Sequence, residues 1–128
     1  MFSHVVVGAD DLDASRAFYD ATFGVLGASP GTIDPKGRLV YSHAGGRFLV
    51  TRPIDGEPAS HANGGTIGFL AASPEAVDAW HATGVANGGT SCEDPPGIRQ
   101  AGDGRVLYLA YLRDPANNKL CAVHRMNA

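Results

Sequence analysis

The fold is decided by residues 3–25, SHVVVGADDLDASRAFYDATFGV, and by residues 66–86, TIGFLAASPEAVDAWHATGVA. Each stretch begins with alternating residues typical of a strand and continues, after a capping Asp or Ser, with apolar residues at helical spacing. Ser73-Pro74 is a strong helix start, because serine caps free N–H groups and proline suits the first helical turn. Both stretches therefore predict a strand followed directly by a helix. Gly24 and Gly27 are expected to end the first helix, and Gly84 is expected to end the second.

Further strands are predicted after each helix, and they are residues 28–33, 38–44, 47–52, 106–113 and 119–125. Gly45-Gly46, between the second and third of these strands, is a dipeptide typical of hairpin turns. Residues 114–118 form the turn between the last two strands. Residues 53–63 break the pattern with Pro, Asp, Gly and Ser, so they are the candidate boundary inside the chain.

The second half of the chain repeats the pattern of the first half. At a constant offset, Val7 aligns with Phe69 in the strands and Phe18 aligns with Trp80 in the helices. Agreement in both pattern and order favours a duplication over a chance match. We therefore expect Phe18 and Trp80 to be buried at equivalent positions.

The chain length fits one α+β domain over residues 1–128, built from two modules in tandem. Module one is predicted at about residues 1–53, a linker at about 54–63 and module two at about 64–128. We expect the helices to lie on the outside of curved sheets. The faces of the sheets that the helices leave uncovered are expected to enclose a pocket.

Composition and charge exclude several classes of protein. A net charge of −3 and ten scattered basic residues do not form the basic surface that nucleic acid binding needs. The apolar run at residues 106–112 is far shorter than the roughly 20 residues of a membrane-spanning helix. Residues 1–4 lack the basic segment of a signal peptide, and Cys92 and Cys121 are interpreted as free thiols, so we expect a cytoplasmic protein.

The chain resembles the vicinal oxygen chelate superfamily, which includes glyoxalase I, fosfomycin and bleomycin resistance proteins and extradiol dioxygenases. The matching stretches are residues 4–8, 11–12, 16–19, 64–69, 76–80, 88–89, 95–99, 108–115 and 118–120. Together they cover essentially the whole chain and favour the glyoxalase-like branch. The resemblance implies paired βαβββ modules that bind a ligand or a divalent metal ion in a cavity, and, with exposed strand edges, a homodimer.

The resemblance also implies up to four metal-ligand positions, on the first and last strands of each module. These positions hold His4, Leu49, Thr66 and Cys121. Leu49 has no donor, Thr66 has a neutral hydroxyl, and Cys121 would bind only as a thiolate, whereas a stable site needs three or four ligands. We therefore expect no complete metal site and interpret His4 as a pocket-wall residue. A Zn, Ni, Mn or Fe ion held by His4, with His43 or His61 moved inward, is the alternative.

Two further residues are candidates for the pocket. Arg99 follows a Pro-Pro-Gly turn, and its guanidinium could hold a carboxylate or phosphate or else face solvent. Tyr108 and Tyr111 lie on opposite faces of a predicted strand, so only one of them can line the pocket, and we choose Tyr108.

Two functions remain open from the sequence. The first is a glyoxalase-like or bleomycin-resistance-like protein that binds a small molecule without a complete metal site. The alternative is a divalent-metal-dependent lyase, isomerase or dioxygenase acting on a small oxygenated substrate. The sequence does not decide whether the chain is an enzyme, which ligand it binds, or whether the modules pair within one chain or across a dimer.

Overall fold

The computed structural model describes residues 1–127, in which two modules share one topology. Module one consists of β1 (His4–Gly8), α1 (Leu12–Val25), β2 (Thr32–Ile33), β3 (Leu39–His43) and β4 (Gly46–Thr51). Its sheet has the order β1-β4-β3-β2, in which β1 and β4 are parallel and the other pairs are antiparallel.

Module two repeats this arrangement with one additional strand, at residues 97–100. It consists of β5 (Ile67–Leu70), α2 (Pro74–Ala86), β6 (Thr90–Ser91), β7 (Gly97–Gln100), β8 (Val106–Arg113) and β9 (Lys119–Arg125). The first strand, β5, again lies at an edge and is parallel to the last strand, β9, while β6 and β7 both pair with β8. The α+β fold of tandem modules is therefore confirmed.

Side-chain caps start both helices where the sequence predicts them. The side chain of Asp11 accepts a hydrogen bond from the N–H of Ala14 at 3.0 Å, and that of Ser73 accepts one from Ala76 at 3.1 Å. Gly24 does not end α1, contrary to expectation, since the helix continues to Val25. Gly27 follows the end of α1 with a φ of +96°, a conformation that glycine adopts without strain.

Gly84 does not end α2, contrary to expectation. The helix continues to Ala86, and Gly84 is buried inside it. A Cβ atom at this position would overlap the side chain of Leu112 and lie 3.3 Å from Cε1 of Phe18. Glycine is therefore present because α2 approaches both β8 and α1 closely, and the helix tolerates its low propensity.

The turn between β3 and β4 is displaced by one residue from the predicted Gly45-Gly46. His43 pairs with Gly46, so the two loop residues are Ala44 and Gly45, with φ values of 50° and 85°. Two positive φ values in a two-residue loop are typical of a type I′ hairpin, whose twist matches that of the strands.

Both helices and both sheets contribute to one hydrophobic core. Phe18 and Trp80 are fully buried at equivalent positions of α1 and α2, which confirms the predicted correspondence. The helices pack against each other, and each keeps an exposed face, which includes Asp13 in α1 and Asp78 in α2.

A buried polar network joins module two to module one. The phenol of Tyr19 in α1 donates a hydrogen bond to Oδ2 of Asp114 at 2.6 Å. Nδ2 of Asn118 donates to the same carboxylate oxygen and to the backbone oxygen of Gly8, both at 3.0 Å. Burial, together with the neighbouring Asp114, raises the pKa of Tyr19 well above its usual value. The phenol is therefore a permanent donor between the modules.

Candidate functional site

Each sheet has one face that packs against the helices and an opposite face, which we call the open face. In the first sheet the open face carries His4, Val6 and Leu49, because Val6 pairs with Leu49 and the alternate residues Val5 and Phe48 belong to the helix side. His4 is exposed, and its Nδ1 lies 2.8 Å from the hydroxyl oxygen of Ser3. Leu49 is buried. The structure therefore places these two predicted site residues on the same face.

The open face of the second sheet carries Cys121 and Tyr111. Cys121 pairs with Gly68 on one side and with Tyr111 on the other, while its neighbours Leu120 and Ala122 face the core. Thr66 is exposed and directly precedes β5. Burial raises the pKa of the Cys121 thiol, and burial also raises the pKa of Tyr111.

Tyr108 lies on the helix side of the second sheet. Its phenol donates a hydrogen bond to Oδ1 of Asp78 in α2 at 2.8 Å, and this bond raises the pKa of Tyr108. Alternation along β8 therefore places Tyr111, and not Tyr108, on the same face as Cys121. The strand pattern shows that the two tyrosines lie on opposite faces of the sheet. Only the position of α2 shows which of these faces is covered.

Lys119 is anchored beside Tyr111 and Cys121. Its ammonium group forms an ion pair with Glu93 and lies 5.0 Å from the ring centroid of Tyr111, within the range of a cation–π contact. The hydrogen bond to Glu93 raises the pKa of Lys119. At neutral pH this part of the open face therefore presents an ammonium group, a phenol and a protonated thiol.

The charged side chains in the strands of the second open face are all basic. Strand register places four of them on the same side as Tyr111, namely Arg99, Arg113, Lys119 and Arg125. The strands β5 to β9 contain no Asp or Glu. The guanidinium of Arg99 donates to the backbone oxygen of Pro95 at 2.6 Å, so the Pro-Pro-Gly turn orients it. Strand pairing places Arg99 and Arg125 beside Leu107, and Arg113 beside Lys119 at the other end of β8, a grouping that the sequence alone does not show.

The donor set does not fit the divalent ion that the family resemblance implies. His4 is a suitable ligand, but Leu49 and Thr66 supply no competitive donor, and Cys121 is held as a thiol by burial. His61 does not complete the set, because its Nδ1 lies 3.2 Å from Nδ2 of Asn117. Within residues 1–127, no group of three or more His, Cys, Asp or Glu side chains is arranged to hold a metal ion.

A cavity of about 480 Å³ lies on the helix side of the sheets, between the end of α1, the β3–β4 hairpin and β5. Phe23, Phe48 and Phe69 form its wall, and His43 lies at the hairpin end. None of the six residues predicted for the pocket, namely His4, Leu49, Thr66, Arg99, Tyr108 and Cys121, lines this cavity. Sequence reasoning missed it because three segments far apart in the chain form its wall.

Comparison with known proteins identifies the family. Residues 1–122 match the model of the Glyoxalase/Bleomycin resistance protein/Dioxygenase superfamily. A glyoxalase/bleomycin resistance protein from Albidiferax ferrireducens T118 is 57% identical, with a TM-score of 0.93 over 98% of this chain and 99% of that chain. No curated protein matches the chain.

More distant structures share the fold. A lactoylglutathione lyase from Agrobacterium tumefaciens is 23% identical, with a TM-score of 0.65 over 97% of this chain and 92% of that chain. A glyoxalase/bleomycin resistance protein/dioxygenase family enzyme from Burkholderia phytofirmans PsJN is 20% identical, with a TM-score of 0.71 over 95% of this chain and 96% of that chain. From the match over residues 1–122, the chain belongs to the glyoxalase/bleomycin resistance protein/dioxygenase superfamily.

Proposed function

We propose that this protein binds a small organic anion on its open faces and does so without the metal ion of its family. The observation that carries the proposal is the set of four basic side chains on the second open face, in strands without acidic residues. Glu93 neutralises only one of the four, by pairing with Lys119. The remaining positive charge favours a carboxylate or a phosphate group.

The neighbours of Lys119 define how such an anion would be held. The ammonium group lies over the Tyr111 ring, so a ligand that replaces Glu93 as its partner would lie beside an aromatic surface. The protonated phenol of Tyr111 adds one hydrogen-bond donor. Small-molecule sites commonly combine apolar walls with a few such polar groups.

The exposed edges of the two sheets favour a homodimer. β1 and β5 lie at the edges of their sheets, where backbone groups on the outer side lack a strand partner. Val6 and Leu70 are exposed on these strands. A dimer that sets module one of one chain beside module two of the other would bury these groups and enclose the ligand. Light scattering at micromolar concentration tests this, and a monomer of 13.3 kDa would contradict it.

We also propose that the protein works in the cytoplasm. Cys92 and Cys121 are both free thiols, which suits a reducing compartment. Within residues 1–127, no helix has the length and apolar character to cross a bilayer.

The alternative function is a metal-dependent lyase, isomerase or dioxygenase. His4 favours it, because its exposed imidazole lies at a position where the family has a ligand. The other three positions argue against it, as their side chains do not complete a donor set.

The two lysines of the chain, Lys36 and Lys119, allow a matched test of anion binding. Benzoate and methylphosphonate are titrated into the protein while the amide resonances of Tyr111 and Cys121 are followed by NMR. We expect Lys119→Ala to weaken binding about tenfold, as for the loss of one charge-assisted hydrogen bond, and Lys36→Ala to leave it unchanged. Equal affinities for the two variants would contradict a site at Lys119.

A further inference from the structure

The cavity on the helix side has the features of a second ligand site, separate from the open faces. We propose that it binds a compact, uncharged aromatic molecule that carries one hydrogen-bonding group. Its volume of about 480 Å³ lies within the range of about 300–1,000 Å³ that is usual for small-molecule pockets. The proposal concerns a different surface from that of the proposed anion site, so each can fail without the other.

Three phenylalanines of the cavity wall pack edge-to-face against one another. The ring of Phe23 lies edge-to-face against Phe48 and Phe69, with centroid distances of 5.3 and 4.9 Å. Phe48 and Phe69 are 5.6 Å apart in the same type of arrangement. Such contacts are the favoured geometry of aromatic pairs, so a bound aromatic ring would extend an existing cluster.

The wall is assembled from both modules, since Phe23 and Phe48 belong to module one and Phe69 to module two. The Tyr19–Asp114 bond that joins the modules therefore also helps to keep the wall in place. Tyr41 lines the cavity as well, but its phenol is already bound to Oδ1 of Asp20 at 2.6 Å. Tyr41 thus contributes its ring rather than a free polar group.

One side chain remains available for a hydrogen bond to the ligand. His43 lies on the helix side of β3 beside Gly27, and its imidazole forms no hydrogen bond or ion pair with another residue of 1–127. A hydroxyl or ring N–H on the ligand would satisfy this imidazole.

The charges at the cavity favour an uncharged ligand. Among the described residues, those that line it include no acidic side chain. Arg47 is the one charged residue among them, and strand register places it with His4 on the open face rather than on the helix side. Neither a cation nor an anion therefore finds a fixed counter-charge inside the cavity.

The test uses 1-naphthol as the probe, with its binding followed by fluorescence at a protein concentration at which the oligomeric state is known. Ala28 lines the cavity and packs on the core, so Ala28→Trp fills the space. We expect Ala28→Trp to abolish binding and His43→Ala to weaken it about threefold to tenfold, as for the loss of one hydrogen bond. Ala79→Trp, at an exposed position of α2, is the matched control and should bind normally.

Three outcomes would overturn the proposal. The first is normal binding of 1-naphthol by Ala28→Trp, provided that circular dichroism shows this variant to be folded. If Ala28→Trp does not fold, normal binding by His43→Ala is decisive in its place. The second is tighter binding of 1-naphthoate than of 1-naphthol, which would indicate an anion site. The third is a loss of binding as the protein dimerises, which would indicate that a second copy covers the cavity. Lys119→Ala, which tests the open face, should leave 1-naphthol binding unchanged.

Discussion

Tyr19 in α1 donates a 2.6 Å hydrogen bond to Asp114 in the turn between β8 and β9, and both side chains are buried. This contact joins residues 95 positions apart in the sequence and links the two modules. Because Asn118 shares the Asp114 carboxylate and also reaches the backbone of Gly8, the bond belongs to a network that includes the end of β1. The relative position of the two sheets therefore depends on a few polar atoms as well as on the apolar core.

Removal of the Tyr19 hydroxyl should destabilise the protein. In Tyr19→Phe, the buried carboxylate of Asp114 loses a donor, and we expect the free energy of unfolding to fall by about 1–3 kcal/mol. Tyr108→Phe is the control, because its hydrogen bond to Asp78 is exposed and should contribute less than about 1 kcal/mol. Urea unfolding of both variants measures the difference, and equal losses would contradict the role of the buried network.

Two glycine-to-alanine changes should alter stability in opposite directions. Gly84→Ala places a methyl group against Leu112 and Phe18, and we expect a loss of about 1–3 kcal/mol in the free energy of unfolding. Gly24→Ala lies in α1 with no atom within 4 Å of the added Cβ, so alanine should stabilise the helix by about 0.5–1 kcal/mol. Thermal unfolding measures both, and a stabilised Gly84→Ala would show that α2 is not tightly packed at this point.

The raised pKa of Tyr19 predicts a loss of stability in alkali. The unfolded chain loses the phenolic proton above about pH 10, whereas the folded protein retains it. The unfolded state then binds fewer protons, so the free energy of unfolding falls as the pH rises, by up to roughly 1.4 kcal/mol per pH unit for this group. Urea unfolding at several pH values above about 9 should therefore show a shallower decline for Tyr19→Phe than for the wild type. If the free energy of unfolding declined equally steeply with pH in both proteins, Tyr19 would not be the group that retains its proton in the folded state.

The sequence predicts the long strands well because their patterns are local. Residues 106–113 and 119–125 are predicted with the bounds that the structure shows, since each run contains consecutive apolar residues and a Pro- and Asn-containing turn separates them. The strands β6 and β7 have only two and four residues, and no strand could be assigned there from the polar and Pro-rich stretch between them.

Features that depend on packing could not be predicted in the same way. In the sequence, Gly84 resembles the glycine that follows a helix end. In the structure it lies inside α2, and glycine is required there because Leu112 and Phe18 approach the helix closely. Alternation separates Tyr108 from Tyr111, yet only the position of α2 shows which one faces Asp78. The cavity wall requires three phenylalanines from different strands and helices, and no local pattern relates them.

Calorimetric titration of Zn²⁺, Ni²⁺, Mn²⁺ and Fe²⁺ into the wild type and His4→Ala distinguishes a metal-free binding protein from a metalloenzyme. His4 is the one competitive donor among the four family positions. We therefore expect weak binding heats and less than one bound ion per chain, with no difference between the two proteins. Stoichiometric binding of any of these ions that His4→Ala removes would contradict the metal-independent account and favour a metalloenzyme.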